Sequence, residues 1–230
     1  MKLITKSKEP NSLTKHRANR PGANFDNILL VDKNELRGSL LAEQGHICCY
    51  CMKRIVVNAN NDGSSSYQMK VEHYKCQENY PELQLIYTNL FGACMGNEGH
   101  PGKLQTCDTK KAYFDLTINP LSLSPNCESL FKYNAEGEIS SVNNDNEINR
   151  QINEILNLNM QTLKDGRREV YLEVQKRVEA ESRKLTQKQL KLKFFEQERV
   201  QWLTKKDGKY RPYCMVAVYY LTKKIRQHHS

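Results

Sequence analysis

The sequence predicts an α+β protein in which a small, cysteine-pinned, loop-rich unit sits inside a mostly helical chain. Three observations carry that expectation. Apolar residues recur at helical spacing before residue 45 and again throughout 146–230. Between those stretches, residues 46–115 hold six of the eight cysteines and no long periodic run. A short alternating pair near 130–140, split by Glu136-Gly137, reads as a hairpin.

The elements follow in chain order. Residues 1–45 are an N-terminal arm and a helix. Residues 1–24 are polar, with Pro10, Pro21 and Gly22, and read as an extended arm. Ile28, Leu29, Leu36, Leu40 and Leu41 place a helix over about 26–44, ended by Gly45. In the cysteine-rich unit 46–115, the Asn-, Gly- and Ser-rich run 58–66 reads as a flexible loop. Residues 116–145 are a loop and hairpin segment, pairing 130–133 with 138–140. Residues 146–230 form a basic helical region. Its helical runs cover 148–163, 165–180 and 186–203, and a last apolar helix spans 212–225 after the break at Lys206-Asp207-Gly208-Lys209.

Composition excludes some classes and favours others. The chain has 230 residues, enough for one moderate domain, and a mean hydropathy of −0.74. No run approaches the roughly 18 apolar residues of a membrane span. The start turns polar at once and lacks a signal peptide's apolar stretch. These features point to a cytoplasmic protein, whose cysteines are reduced thiols or metal ligands rather than disulfides. The net charge of +9 is uneven: +4 over residues 1–40, −5 over 41–160 and +10 over 161–230. Acidic residues gather where cations are held, and basic flanks suit a polyanion such as nucleic acid. A solvated lysine-rich helix surface gives the same charge pattern.

Cys48-x-x-Cys51 supplies two soft ligands from one turn, and Cys94 with Cys107 supplies two more. Together they suggest a structural Zn²⁺ that holds 48–51 against 94–107, useful because so loop-rich a unit buries little core. His100, in the gap between Cys94 and Cys107, is an alternative ligand. Cys49, Cys76, Cys127 and Cys214 lack a partner at ligand spacing and read as packing residues.

These residues also carry a resemblance. Cys48-x-x-Cys51, Val71-Glu72-His73-Tyr74, Asn89-Leu90-Phe91-Gly92-Ala93-Cys94 and Cys107-Asp108-Thr109-Lys110-Lys111 together resemble the ββα-metal core of HNH endonucleases. The likeness covers residues 46–115. It implies a zinc-stapled ββα-metal (HNH) unit embedded in a mostly α-helical chain. More softly, the wider chain is similar to the HNH subunits of Septu-type and retron-associated anti-phage systems, called PtuB-like. That similarity rests on Glu35-Leu36-Arg37, 40–45 leading into Cys48, Asn119-Pro120, the 131–139 stretch and 156–159. It implies an antiviral defence complex with a PtuA-like SMC-type ATPase. The other partners it implies are nucleic acid (DNA or tRNA) and, in a retron system, the reverse transcriptase with its msDNA.

The resemblance also implies roles. His73 would be the general base, an imidazole being suited to accept a proton near neutrality. Glu72 and Asp108 would hold a catalytic Mg²⁺ or Mn²⁺. Asn89 would orient the strand bearing His73, and Lys111 would contact phosphate. Phosphodiester hydrolysis needs an activated water, neutralised phosphoryl charge and a stabilised leaving oxygen, and these residue types supply them. Arg167, Arg168, Lys176, Arg177, Arg183, Lys184, Lys188, Lys191 and Lys193 would track phosphates or dock the ATPase. Tyr213, Tyr219, Tyr220 and Trp202 read as core or interface aromatics. The arm residues Lys2, Lys6, Lys8, Lys15, His16, Arg17 and Arg20 would order on a partner or on nucleic acid. Two other functional classes fit the same residues: an inactive zinc-stabilised nucleic-acid-binding module, and a subunit that scaffolds the ATPase.

Overall fold

The structure is a computed structural model that describes residues 1–19, 21–60, 63 and 65–229. It is mixed α+β, with three small two-stranded antiparallel sheets among seven α-helices in the described residues. Helix α1 spans Asn11–Asn19 and α2 spans Leu30–Gln44. Leu36, Leu40 and Leu41 line the buried face of α2, and Gly45 closes it at φ +59°. Glycine is needed there twice over. The left-handed conformation disfavours a side chain, and an added Cβ would meet the Tyr210 ring at 2.4 Å.

Strands β1 (Val57–Ala59) and β2 (Ser65–Tyr67) pair with each other. The ends of the expected flexible loop are therefore strands, while Asn61, Asp62 and Ser64 of that run lie outside the described residues. Strands β3 (Met69–His73) and β4 (Leu90–Cys94) pair with Glu72 opposite Phe91 and His73 opposite Leu90. Every residue of β4 is buried, so this hairpin sits in the middle of the molecule. Gln44 clamps it to α2: its amide oxygen accepts from Gly92 N at 2.7 Å and its amide nitrogen donates to Gly92 O at 2.7 Å. A short helix, α3 (Cys107–Lys111), packs on β4.

Strands β5 (Phe131–Tyr133) and β6 (Ile139–Ser141) form the third hairpin, in the region expected for it. Helix α4 (Asn146–Arg150) runs into a π-turn at Gln151–Ile155, so the helical run expected over 148–163 is broken rather than continuous. The long helices are α5 (Gln161–Lys184), α6 (Lys188–Leu203) and α7 (Cys214–His229). Helix α7 packs on both α5 and α6 and carries Val216, Ala217 and Leu221 into the core. Trp202, Tyr213 and Tyr220 are buried there as well.

Two sequence expectations are corrected. The N-terminal arm is not an extended tail. Met1 and Ile4 are 1% and 5% exposed, Ile4 N donates to Pro120 O at 2.9 Å, and the Met1 amine donates to Tyr133 Oη at 2.9 Å. Lys2 pairs with Glu128, Lys6 pairs with Glu43 at 3.2 Å, and the buried His16 meets Asn24 O at 2.9 Å. Arg20 lies outside the described residues. Arg167 is not part of a basic surface either. It is 1% exposed and donates to Gly137 O, Leu158 O and Asn159 Oδ1. Arg168, Lys176, Arg183, Lys188 and Lys193 do face solvent. Among the described residues no helix is long and apolar enough to cross a membrane.

Candidate metal centre and adjoining cavity

Residues 48–53 form a tight knuckle. Cys48 N donates to Lys53 O at 2.9 Å, Met52 turns at φ +64°, and Lys53 N points at Cys51 Sγ at 3.4 Å. Amide groups aimed at sulfur stabilise the thiolate form that a metal requires. Cys94 ends β4 and Cys107 begins α3. The loop between them closes because Gly96 approaches residue 106: Thr106 N donates to Gly96 O at 2.9 Å, and a Cβ at Gly96 would lie 2.3 Å from Thr106 O.

The result is a four-sulfur cluster. The Sγ atoms of Cys48, Cys51, Cys94 and Cys107 all lie within 4.8 Å of one another, with Cys48–Cys107 and Cys51–Cys94 both at 3.8 Å. A tetrahedral zinc with Zn–S bonds of about 2.3 Å sets its sulfurs about 3.8 Å apart. The cluster thus has the dimensions of a structural zinc site. Burial opposes ionisation of Cys48, yet hydrogen bonds from Cys107 and its neighbours hold that thiol well below the ordinary range; Cys107 is pushed well above it, chiefly by Cys48. His100 is exposed and is not a member.

The cluster braces β3, β4 and α3, and these elements place the remaining candidate residues. Successive strand residues point to opposite faces. Lys70 and Glu72 turn toward α3, and His73 turns toward a cavity of about 440 Å³ lined by Arg37, Lys70, His73, Glu98 and Asp108 among others. Glu72 is fully buried. Its Oε1 accepts from Tyr50 Oη at 2.6 Å and from Lys111 Nζ at 2.9 Å, while Oε2 has no partner. The Asp108 carboxyl lies close enough to Glu72 to act on its ionisation. Burial first, then Asp108, push the Glu72 pKa well above its ordinary value; Lys111 and Tyr50 pull it down without cancelling that rise. Asp108 itself is held by Lys70 at 3.2 Å, which also pairs with Glu98 at 3.2 Å.

His73 is 7% exposed. Its Nε2 lies 3.1 Å from Gln84 O, so that nitrogen carries the proton and Nδ1 keeps a lone pair. Phe25 meets the ring edge-on at 4.6 Å. Burial lowers its pKa to about 4, leaving the imidazole neutral near pH 7. Asn89 ties the two ends of the β3–β4 connection together: Oδ1 accepts from Lys75 N at 2.8 Å and Nδ2 donates to Lys75 O at 2.9 Å and Leu83 O at 3.1 Å.

Lys111 requires a correction. It does not face a phosphate path; it is 1% exposed and spans Glu72 and the His73 carbonyl, both at 2.9 Å. Asp108 and Lys111 are three apart on one helical turn and so share a face. Once Asp108 looks at the hairpin, Lys111 must too. The sequence reading gave no role to Tyr50, Lys70 or Gln84. Lys70 was legible in principle, since strand alternation puts it on the same face as Glu72, whereas Tyr50 and Gln84 act through contacts no local pattern reveals.

The fold and the site define a mixed α+β protein whose central hairpin and helix are braced by a four-cysteine cluster competent to bind zinc. No family model matches the sequence, and no curated protein matches it.

Proposed function

We propose that this chain is a metal-dependent HNH-type endonuclease, a cytoplasmic effector subunit of an anti-phage defence complex, that hydrolyses phosphodiester bonds of nucleic acid. The observation that carries this reading is the Glu72–Asp108 pair. The buried Glu72 keeps one oxygen without a donor, the half-buried Asp108 lies close enough to raise its pKa, and the neutral imidazole of His73 stands on the cavity that Asp108 also lines. Two carboxylates so placed favour either a shared proton or a cation. The oxygen donors fit Mg²⁺ or Mn²⁺, and the sulfur cluster fits Zn²⁺.

Glu72 and Asp108 would hold the divalent ion, which when bound supplies Lewis-acid charge for the phosphoryl and leaving oxygens. The chain's own residues do the rest. Gln84 O fixes the His73 tautomer, so Nδ1 accepts the proton of the attacking water. Asn89 holds the connection that follows His73, keeping the imidazole in place. Phe25 and the cavity wall limit water around the ring. DNA is the substrate the resemblance favours, with tRNA the next candidate, and a PtuA-like ATPase with or without a retron reverse transcriptase and its msDNA would complete the complex.

A second reading, a zinc-stabilised binding or scaffolding subunit with no catalysis, draws support from Lys111, which neutralises Glu72 without a metal. The test is to incubate the zinc-loaded chain, alone and with its ATPase, with plasmid, single-stranded DNA and total tRNA in Mg²⁺ or Mn²⁺. Cleavage that falls about 10²–10⁴-fold in His73→Ala is expected. Full activity in a folded His73→Ala protein removes the proposed base; binding that survives EDTA with no cleavage under any condition establishes the second reading.

A further inference from the structure

The β5–β6 hairpin, the π-turn, α5 and α7 enclose a second cavity, of about 810 Å³, that shares no lining residue with the one at His73. Asparagines tie its walls together. Asn153, inside the π-turn, donates to Asn149 O at 2.8 Å and accepts from Asn159 Nδ2 at 2.8 Å, and Asn159 Nδ2 also donates to Ile139 O at 3.0 Å. Turns of this kind are rare and gather at functional sites. With those amides spent on the walls, the polar groups left over are donors. Asn149 gives its Oδ1 to Ser141 N at 2.9 Å, and its Nδ2 has no partner among the described residues. The hydroxyls of Tyr171 and Tyr219 have none either, and neither is sealed from solvent. Their rings are fixed edge-to-face by other tyrosines, Tyr219 by Tyr133 at 5.8 Å and Tyr171 by Tyr220 at 5.1 Å. Burial, then Tyr219, raise the Tyr171 pKa, so its hydroxyl keeps its proton and donates. Lys223, one helical turn beyond Tyr219, is exposed and shares its face.

We infer that this cavity is a nucleotide-binding site, separate from the hairpin that bears His73, which takes the phosphate among its lysines and the base against its tyrosines. Charge sets the phosphate. Lys132, Lys164 and Lys223 line the space against a single carboxylate, Glu138, which Lys164 already pairs at 2.8 Å. The formal balance of two positive charges is met by a phosphate monoester, which carries close to two negative charges at neutral pH. The leftover donors set the rest, since the oxygens and ring nitrogens of a sugar and base are the acceptors that Asn149 and the two phenols lack. A flat base also covers aromatic surface that water wets poorly. The volume lies within the roughly 300–1,000 Å³ of small-ligand sites. A free nucleotide and the 5′ end of a strand share this chemistry, and the test separates them. Nothing in the inference depends on the nuclease reading.

The test is isothermal titration of the full, zinc-loaded chain with the four ribonucleoside 5′-monophosphates, adenosine, inorganic phosphate and a short 5′-phosphorylated single-stranded oligonucleotide. At least one monophosphate is expected to bind with a dissociation constant on the order of 10–100 µM, with adenosine and inorganic phosphate roughly tenfold weaker or more. Lys223→Gln should loosen the monophosphate roughly tenfold. Tyr171→Phe, which keeps the ring and removes only the hydroxyl, should loosen it roughly three- to tenfold. Lys206→Gln, exposed and outside the cavity, should bind as the parent does. An oligonucleotide that binds more tightly than any monophosphate, and is weakened by Lys223→Gln, supports the site with a strand end as its ligand. One that binds more weakly supports it with a free nucleotide. The inference is overturned if no monophosphate binds at millimolar concentration, or if inorganic phosphate binds as tightly as the monophosphates. It is overturned equally by parental affinity in folded, zinc-loaded Lys223→Gln and Tyr171→Phe proteins.

Discussion

Lys111 Nζ lies 2.9 Å from Glu72 Oε1, and both side chains are sealed from solvent, at 1% and 0% exposure. The pair links α3 to β3 through the interior, directly beneath the cavity that holds His73. An ion pair this deeply buried is costly to break on one side, because the remaining charge is stranded.

Lys111→Met is accordingly expected to lower stability by about 3–5 kcal/mol. Chemical denaturation with zinc present checks it. A phosphate-contacting lysine would behave otherwise: stability would be unchanged and only nucleic-acid affinity would fall.

Removing zinc should be more drastic still. Structural zinc contributes on the order of 10 kcal/mol to folding in small thiolate sites, comparable to the whole stability of a domain. Elemental analysis is expected to find one zinc per chain. Cys107→Ser should lose it and expose the 94–107 loop to protease. A Cys107→Ser protein with the parent's melting temperature would exclude a structural metal at this cluster.

The N-terminal segment supports the core rather than trailing from it. Ile4→Ala should destabilise the protein by about 2–5 kcal/mol, since the residue is 5% exposed and its backbone is bonded to Pro120. A solvated arm would tolerate the change, and thermal melting distinguishes the two.

Acid should act through His73 in protein without added divalent cation. Burial lowers its pKa from 6.5 to about 4, so the unfolded chain takes up the proton first. Stability from this group is complete above about pH 6.5 and is lost as pH falls toward 4, by roughly 3 kcal/mol in all. The difference in unfolding free energy between the parent and His73→Gln isolates it from the zinc ligands. That difference should be flat above pH 6.5 and shift against the parent below it. A difference that stays flat through the acid range would mean the imidazole is not held neutral by burial.

What the sequence revealed depended on how local the signal was. The C-x-x-C knuckle is closed by its own backbone, so two of the four sulfur ligands are legible from spacing alone. Cys94 and Cys107 were harder, because Gly96 and residue 106 draw the loop shut at a distance no pattern encodes. The long helices read well from periodicity, as did the 131–141 hairpin from its turn. The arm was misread because Met1, Ile4 and Leu13 are too sparse to show a pattern, and their partners, Tyr133 and Pro120 for the first two and residues 28–90 for Leu13, are remote. Lys111 was misplaced because a short basic helix looks solvated until Asp108 fixes which face turns inward.

The most direct test of the account is whether a divalent cation seats beside His73. Mn²⁺ titrated into the zinc-loaded chain should broaden the His73 imidazole resonances at low stoichiometry, and Asp108→Asn should abolish the effect while leaving zinc and fold intact. Sharp His73 signals in a folded wild-type protein saturated with Mn²⁺ would contradict the claim that Glu72, Asp108 and His73 form one metal-dependent site.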